Sequence, residues 1–415
     1  MFPFGELLPL IVVSFFGVLY NPFFWLVILL VALQYRRMES MREAMFGIRD
    51  GKFWSHTFTA TGFGLLGGLA GSAVMLFVGL TLTGSGLIYL WVVALILMLI
   101  NARFLCFAYA GGIVALSNMI FGFPQVQVPQ LLALVAILHM VESFLILGSG
   151  HLGAVPAYFK HPGGRVVGGY TLQKFWPIPL VALAVMSGPA LPQTGVEMPD
   201  WWPLIKPAPG VDPKDLIYFL IPVVAGLGYG DLAVARDPRE KSRMSALFLA
   251  GYSVALLALA LASAQSQLLM LVAALFSPLG HELIIHLGKQ TEFRARPKYV
   301  SRRDGLGVLD VLPNSPAWRA GLRSGDVILS LNNIPVHWRE HLEAALELAG
   351  TWPVELVYLS GDPPRYRREL ISLPGGLSGF GLLPVPRGDE ENYTNLNTTG
   401  PLARWWQNRR GGRGK

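Results

Sequence analysis

Cysteine and charge are what this chain has least of. Cys106 is the only cysteine in 415 residues, so no disulfide can form within the chain. Charged residues make up 14%, where an ordinary soluble protein carries about a quarter. Apolar residues make up 53% and the mean hydropathy is +0.47. These values exclude a wholly soluble protein, a disordered one and a secreted disulfide scaffold. A phosphate-binding loop, a dinucleotide fingerprint and a Ser-His-Asp arrangement are also missing. The formal charge of +7 would point to nucleic acid in a soluble protein. In a membrane protein it sets topology first, and no nucleic-acid partner is expected.

What is there instead is long apolar runs. About 20 apolar residues in a helix cross a roughly 30 Å hydrocarbon core. Such runs predict helical spans near 59–82, 86–102, 104–122, 129–148, 175–192, 215–235, 244–263 and 268–288. Residues 5–35 hold two shorter apolar pieces parted by Asn21-Pro22, read as one kinked crossing, with a re-entrant hairpin as the alternative. Met1-Phe2-Pro3-Phe4 enters apolar sequence without a basic stretch, so no cleavable signal peptide is expected. The whole predicts a mainly α protein: a polytopic transmembrane helical bundle of about eight to ten spans over 1–290.

Lys and Arg fall unevenly between these runs. One side collects the basic residues of 36–58, Arg103, those of 149–174 and 236–243, and Lys289, Arg294, Arg296 and Lys298, 17 in all. The other side has Lys206 and Lys214. By the positive-inside rule the basic side, which carries the C-terminal region, is cytoplasmic. The inner loop 154–172 reads as a short hairpin against the bilayer. The outer loop 193–214, with Trp201 and Trp202, reads as an interfacial aromatic anchor.

Ionisable groups within spans are costly and are functional candidates by default. They are His139, Glu142, Asp231, His281, Glu282 and His286. A zinc-binding His-Glu-x-x-His places both imidazoles on one helix face. Here His281 and His286 are five apart, which turns the second about 140° further round. Asp231 precedes the pair, whereas a site-2-type intramembrane metalloprotease takes its third ligand from a later span. No catalytic residue, metal or cofactor is therefore expected, and the protease is the runner-up reading. Mutual pairing inside the bundle is the first expectation for these groups, with an ion path through Asp231 and Glu142 as a second and another zinc geometry, for example from His139, Glu142 and His281, left open.

After Lys298 the pattern changes to short strands and turns. Strands are predicted at 308–312, 327–331, 354–359 and 366–371, with helices at 317–320 and 339–348. The run from Val308 to Val336 (VLDVLPNSPAWRAGLRSGDVILSLNNIPV) resembles the signature stretch of PDZ domains. That resemblance implies a small cytoplasmic α+β domain over 299–388 that binds extended peptides by strand addition. Little sequence lies before Val308, so the carboxylate-binding loop is placed at the other end, as in circularly permuted bacterial forms. Gly379, Phe380, Gly381 and Leu382 would form it, with His341, Ala345 and Leu348 lining the groove from a helix. Gly305-Leu306-Gly307 is the rival loop. The polar, glycine-rich segment 389–415 reads as a disordered basic tail, with Trp405-Trp406 and its arginines suited to an anionic leaflet.

The layout of many spans, Gly228-Tyr229-Gly230-Asp231 before a basic loop and one terminal PDZ domain is similar to the MinJ-like family of cell-division topological determinants of Gram-positive bacteria. The resemblance implies a membrane scaffold for septum placement, in a bacterial plasma membrane. Its implied partners are the lipid bilayer and membrane-associated division proteins, a DivIVA-like polar scaffold and a MinD-like inhibitor.

Overall fold

The computed structural model describes residues 2–46, 51–187, 195–206, 216–349, 353–361, 363–371 and 380–394. The membrane part begins with α1 (Phe4–Val18) and α2 (Pro22–Phe46), a pair bent by 67° at the Asn21-Pro22 break. It continues with α3 (Phe53–Val78), α4 (Leu87–Ile100), α5 (Phe107–Phe121) and α6 (Val128–Ser149). Strands β1 (Val155–Lys160), β2 (Val166–Ser187) and β3 (Leu216–Ala233) follow, then α7 (Pro238–Ser263) and α8 (Gln267–Phe293). Among the described residues α3, α6, α7 and α8 are long and apolar enough to cross a membrane, α1–α2 make one bent candidate, and α4 and α5 are shorter apolar helices.

The expected helical spans at 175–192 and 215–235 are wrong. Both runs are strands, paired antiparallel from Tyr170↔Ala233 to Ser187↔Leu216. A continuous apolar run does not distinguish a buried strand from a buried helix. The sequence signal that decides is Pro177 and Pro179 two residues apart, with Pro222 across the ladder at Val181. Proline in a helix interior removes a hydrogen bond and clashes with the preceding turn. In an extended strand it is tolerated where its nitrogen faces an edge.

That edge lies against α3. A lipid-facing strand edge is not viable because every backbone group needs a partner. Pro177 and Pro179 bring no N–H to it. Val181 donates its N–H to Ser72 Oγ at 2.8 Å and Val185 to Thr83 Oγ1 at 3.1 Å. The Leu183 carbonyl accepts from Leu82 N–H at 2.8 Å. The approach is possible because α3 is grooved by glycine: a Cβ on Gly64 would stand 2.1 Å from the Pro177 carbonyl oxygen. On the neighbouring face Gly67 and Gly71 admit Leu145 and Val141 of α6. From Tyr170 to Leu183 the strand rises about 43 Å, close to the ~39 Å of the 26-residue α3.

The hairpin leaves the end-to-end bookkeeping of loops unchanged. At one end Gln127 N–H donates to the Gly84 carbonyl, Leu204 N–H to Val78 and Gln130 Nε2 to Ile205. Trp202 of the expected aromatic anchor is buried there, donating to the Leu76 carbonyl at 2.9 Å. Arg103 lies within the bundle, paired with Glu282 of α8, whereas the other end carries the described basic residues of 149–174 and 236–243 and the C-terminal domain. There the short hairpin expected over 154–172 is present, as β1 paired with the start of β2.

The C-terminal domain comprises β4 (Leu306–Val311), α9 (Pro316–Arg319), β5 (Val327–Leu331), β6 (Ile334–Pro335), α10 (Arg339–Ala349), β7 (Val354–Ser360), β8 (Arg365–Ile371) and β9 (Leu382–Pro384). Each predicted strand and helix is present. Its sheet runs β8-β7-β5-β4-β9, over a core that includes Ala317, Leu322, Ile328, Leu331, Leu356 and Phe380. Ser315 caps α9 by accepting the Trp318 N–H at 3.1 Å. Residues 395–415, most of the expected tail, lie outside the described residues. Thr394 N–H donates to the Tyr158 carbonyl at 2.8 Å, so the start of that segment is held on β1.

Candidate functional site

Two places carry the sequence-predicted residues. The first is the edge of the C-terminal domain. β9 ends the sheet, and among the described residues no strand pairs with its outer side. It is antiparallel to β4, and Gly381 enters it at φ +75°. That backbone region suits glycine, and a Cβ there would stand 2.3 Å from Ser315 Cβ. Phe380 is fully buried, so its ring belongs to the core and only its main chain faces outward chemistry. Gly379 lies outside the described residues. Leu382 is nearly buried. On α10, Ala345 is buried, His341 is exposed and Leu348 is 78% exposed. The i, i+4, i+7 spacing puts all three on one face. In the rival loop, Leu306 and Gly307 are paired inside the sheet with Ile328 and Val327.

The segment after β9 turns back over α10. Arg387 pairs with Glu340, and its guanidinium stacks 5.2 Å from the Trp338 ring. Tyr158 of β1 donates to the Pro384 carbonyl at 2.9 Å, and its burial pushes that phenol up to about 12. The domain is docked on the membrane part beyond this contact. Tyr170 donates to the Leu309 carbonyl at 2.5 Å, and Ser324 Oγ lies 2.9 Å from Tyr170 Oη and 3.2 Å from Tyr299 Oη. Burial raises the Tyr299 phenol above its ordinary range. In the turn before β5, Asp326 accepts the Arg323 N–H at 2.9 Å. Burial raises its carboxyl, opposed by backbone donation from Arg323. None of these docking residues had a sequence signal beyond being aromatic or small and polar.

The second place is inside the membrane part. His139 on α6 and His281 on α8 meet, with ring centroids 5.2 Å apart. Cys106, set aside in the sequence as lacking a partner, lies between them. Its Sγ is 3.0 Å from His139 Nε2 and 3.6 Å from His281 Nε2. Glu142 follows His139 by three residues, one turn along the same helix. Glu282 points elsewhere, paired with Arg103 at 3.0 Å and accepting the Tyr109 hydroxyl at 2.7 Å. His286 is exposed beside Gln290, away from His281, as the five-residue spacing requires. Asp231 is at the basic end. It pairs with buried Lys241 at 3.2 Å and accepts from Ser245 at 2.7 Å.

Comparison with known proteins places residues 307–358 in the PDZ domain family. The chain is 27% identical to the cell division topological determinant MinJ of Bacillus subtilis (strain 168) over 367 residues, 82% of this chain and 87% of that protein. A shorter match, 39% over 67 residues, is to the putative serine protease HhoA of Synechocystis sp., covering 16% of this chain and 17% of that one. The chain is thus similar to MinJ over most of its length and carries a PDZ-domain segment, with several apolar helices before it.

Proposed function

We propose that the protein is a non-enzymatic membrane adaptor that acts as a division topological determinant. Its PDZ domain faces the cytoplasm and holds extended segments of division proteins. The carrying observation is the outer edge of β9, with which no described strand pairs though Tyr158 occupies the Pro384 carbonyl, with the glycine turn at Gly381 entering it and exposed Leu348 on α10. A peptide adding to that edge gains main-chain hydrogen bonds, and a side-chain pocket beside the helix sets its identity. The late position of the Gly381 loop, preceding a strand that pairs with β4, supports the permuted form of the domain.

Attachment to the bilayer confines the domain to a thin layer, which raises the effective concentration of partners there even when the groove binds weakly. The bias of 17 basic residues to 2 supports the cytoplasmic orientation. The relation to MinJ supports a DivIVA-like scaffold and a MinD-like inhibitor as the partners. A protease reading is disfavoured because His286 lies away from His281 and Glu282 is held in an ion pair.

The test uses the full chain in its own membrane with a photo-crosslinking residue at Leu348. Division proteins should be captured, and Leu348→Asp, an exposed change that spares the core, should abolish capture and disperse them from poles and septa. Unchanged capture and localisation in Leu348→Asp would overturn the groove assignment. Gly381→Trp is a poorer probe because any side chain there strikes Ser315.

A further inference from the structure

We infer that Cys106, His139 and His281 form a binding site for a divalent transition-metal ion of the zinc class, within the membrane part. The three donor atoms come from three separate elements: the N-cap of α5, the middle of α6 and the middle of α8. All lie within 4.8 Å of one another. A tetrahedral zinc with Zn–S near 2.3 Å and Zn–N near 2.0 Å separates sulfur from nitrogen by about 3.6 Å. The separation to His281, 3.6 Å, matches that, and the 3.0 Å to His139 would open by about half an ångström on binding.

The His139 tautomer is the one a metal ligand needs. His139 Nδ1 lies 2.7 Å from the Val135 carbonyl, which can only accept, so Nδ1 carries the proton and Nε2 presents a lone pair to the sulfur. This outward bond to a carbonyl is also how metal-bound imidazoles are oriented. His281 directs Nε2 at the same sulfur, while its Nδ1 is buried without a hydrogen-bond partner. The thiol can donate to His139 Nε2 while His281 donates from Nε2 to the sulfur, so in the metal-free state the same three atoms are joined by hydrogen bonds. A bound cation takes a lone pair from each, and the thiol proton leaves to solvent on binding.

The surroundings hold the donors in place. Ser277 Oγ donates to the Ala108 carbonyl at 2.7 Å and Tyr252 donates to the Ser277 carbonyl at 2.8 Å, tying α5, α7 and α8 together around the site. Gly112 lets Pro278 of α8 approach α5, since a Cβ there would be 2.4 Å from the proline ring. Three protein ligands leave a fourth position, for water or for Glu142 one turn along α6 from His139. The ion would clamp α5, α6 and α8 at mid-bundle. This site is independent of the PDZ groove, so either assignment can fail alone.

The probe is Co²⁺ titrated into the full-length protein in detergent after chelation and dialysis. A thiolate-to-cobalt charge-transfer band should appear in the near ultraviolet, saturating at about one equivalent. Zn²⁺ should abolish the band and raise the thermal midpoint. Cys106→Ser should lose both signals, and His139→Gln and His281→Gln should weaken them. His286→Gln, at an exposed position away from the cluster, should keep them. A folded wild-type protein showing neither a band nor a zinc-dependent midpoint would overturn the site. So would a band that persists in Cys106→Ser.

Discussion

Gly68 of α3 lies directly under the carbonyl of Pro179 in β2: a methyl group built on it would stand 1.9 Å from that oxygen. The long strand can sit on the helix only because this position carries no side chain, and its backbone cannot yield without breaking the ladder to β3. Gly68→Leu should therefore lower stability by on the order of 3 kcal/mol through overpacking. Gly251 is the control, because nothing lies within 4 Å of its added Cβ. Gly251→Ala should be neutral or gain up to about 1 kcal/mol from helix propensity. Thermal midpoints of the two variants in one detergent check both signs.

Ser72 serves the same contact by hydrogen bonding. Its hydroxyl donates to the Gly68 carbonyl at 2.7 Å and accepts the Val181 N–H at 2.8 Å. Removing it leaves a buried donor on an edge with no other partner, a loss of about 1–3 kcal/mol. Ser72→Ala should raise amide hydrogen exchange at Val181 selectively, while exchange in the β7–β8 ladder of the PDZ domain stays as it was.

The PDZ turn gives a prediction in pH. The Asp326 carboxyl is raised by burial, so the folded state holds its proton more tightly than the unfolded chain does. Its contribution to stability is present in full below the ordinary carboxylate range and is lost as pH rises through the raised value. Asp326→Asn keeps an oxygen for the Arg323 N–H and carries no charge to desolvate. That variant should flatten the pH dependence of exchange at residues 323–327, whereas Asp326→Ala, which strips the acceptor, should weaken the turn at every pH by about 1–2 kcal/mol.

The PDZ elements were legible because their signals are local: Ser315 as a cap, Gly321 and Gly325 at positive φ, and alternating core residues between turns. The β2–β3 hairpin was not, because a continuous apolar run reads the same whether it forms a strand or a helix. The clues were present as Pro177-x-Pro179 and the Gly64-x-x-x-Gly68 spacing, each meaningful only once the other is known to face it. Cys106 was illegible for a similar reason. Its neighbours in the fold are 33 and 175 residues away in sequence, and a single cysteine has no spacing to read.

Docking of the PDZ domain combines hydroxyl contacts with main-chain bonds from Val166 to Gly388 and from Thr394 to Tyr158, the Arg42–Asp310 pair and apolar packing, and its release is measurable. Tyr170 is buried on the membrane part and donates to the Leu309 carbonyl of β4, next to Ser324. Tyr170→Phe keeps the ring and its packing against Tyr299, at 5.5 Å between centroids, but deletes that donor. A loss of about 1 kcal/mol would raise the undocked population roughly fivefold. The connecting segment between α8 and β4 contains Arg296, Lys298, Arg302 and Arg303, so its tryptic cleavage reports that population. Cleavage in Tyr170→Phe should accelerate by a similar factor while the separated PDZ fragment keeps its own resistance to the protease. An unchanged rate would mean that the other docking contacts, among them the Tyr158–Pro384 bond and the packing of Leu309 and Val385, hold the domain without the Tyr170 hydroxyl.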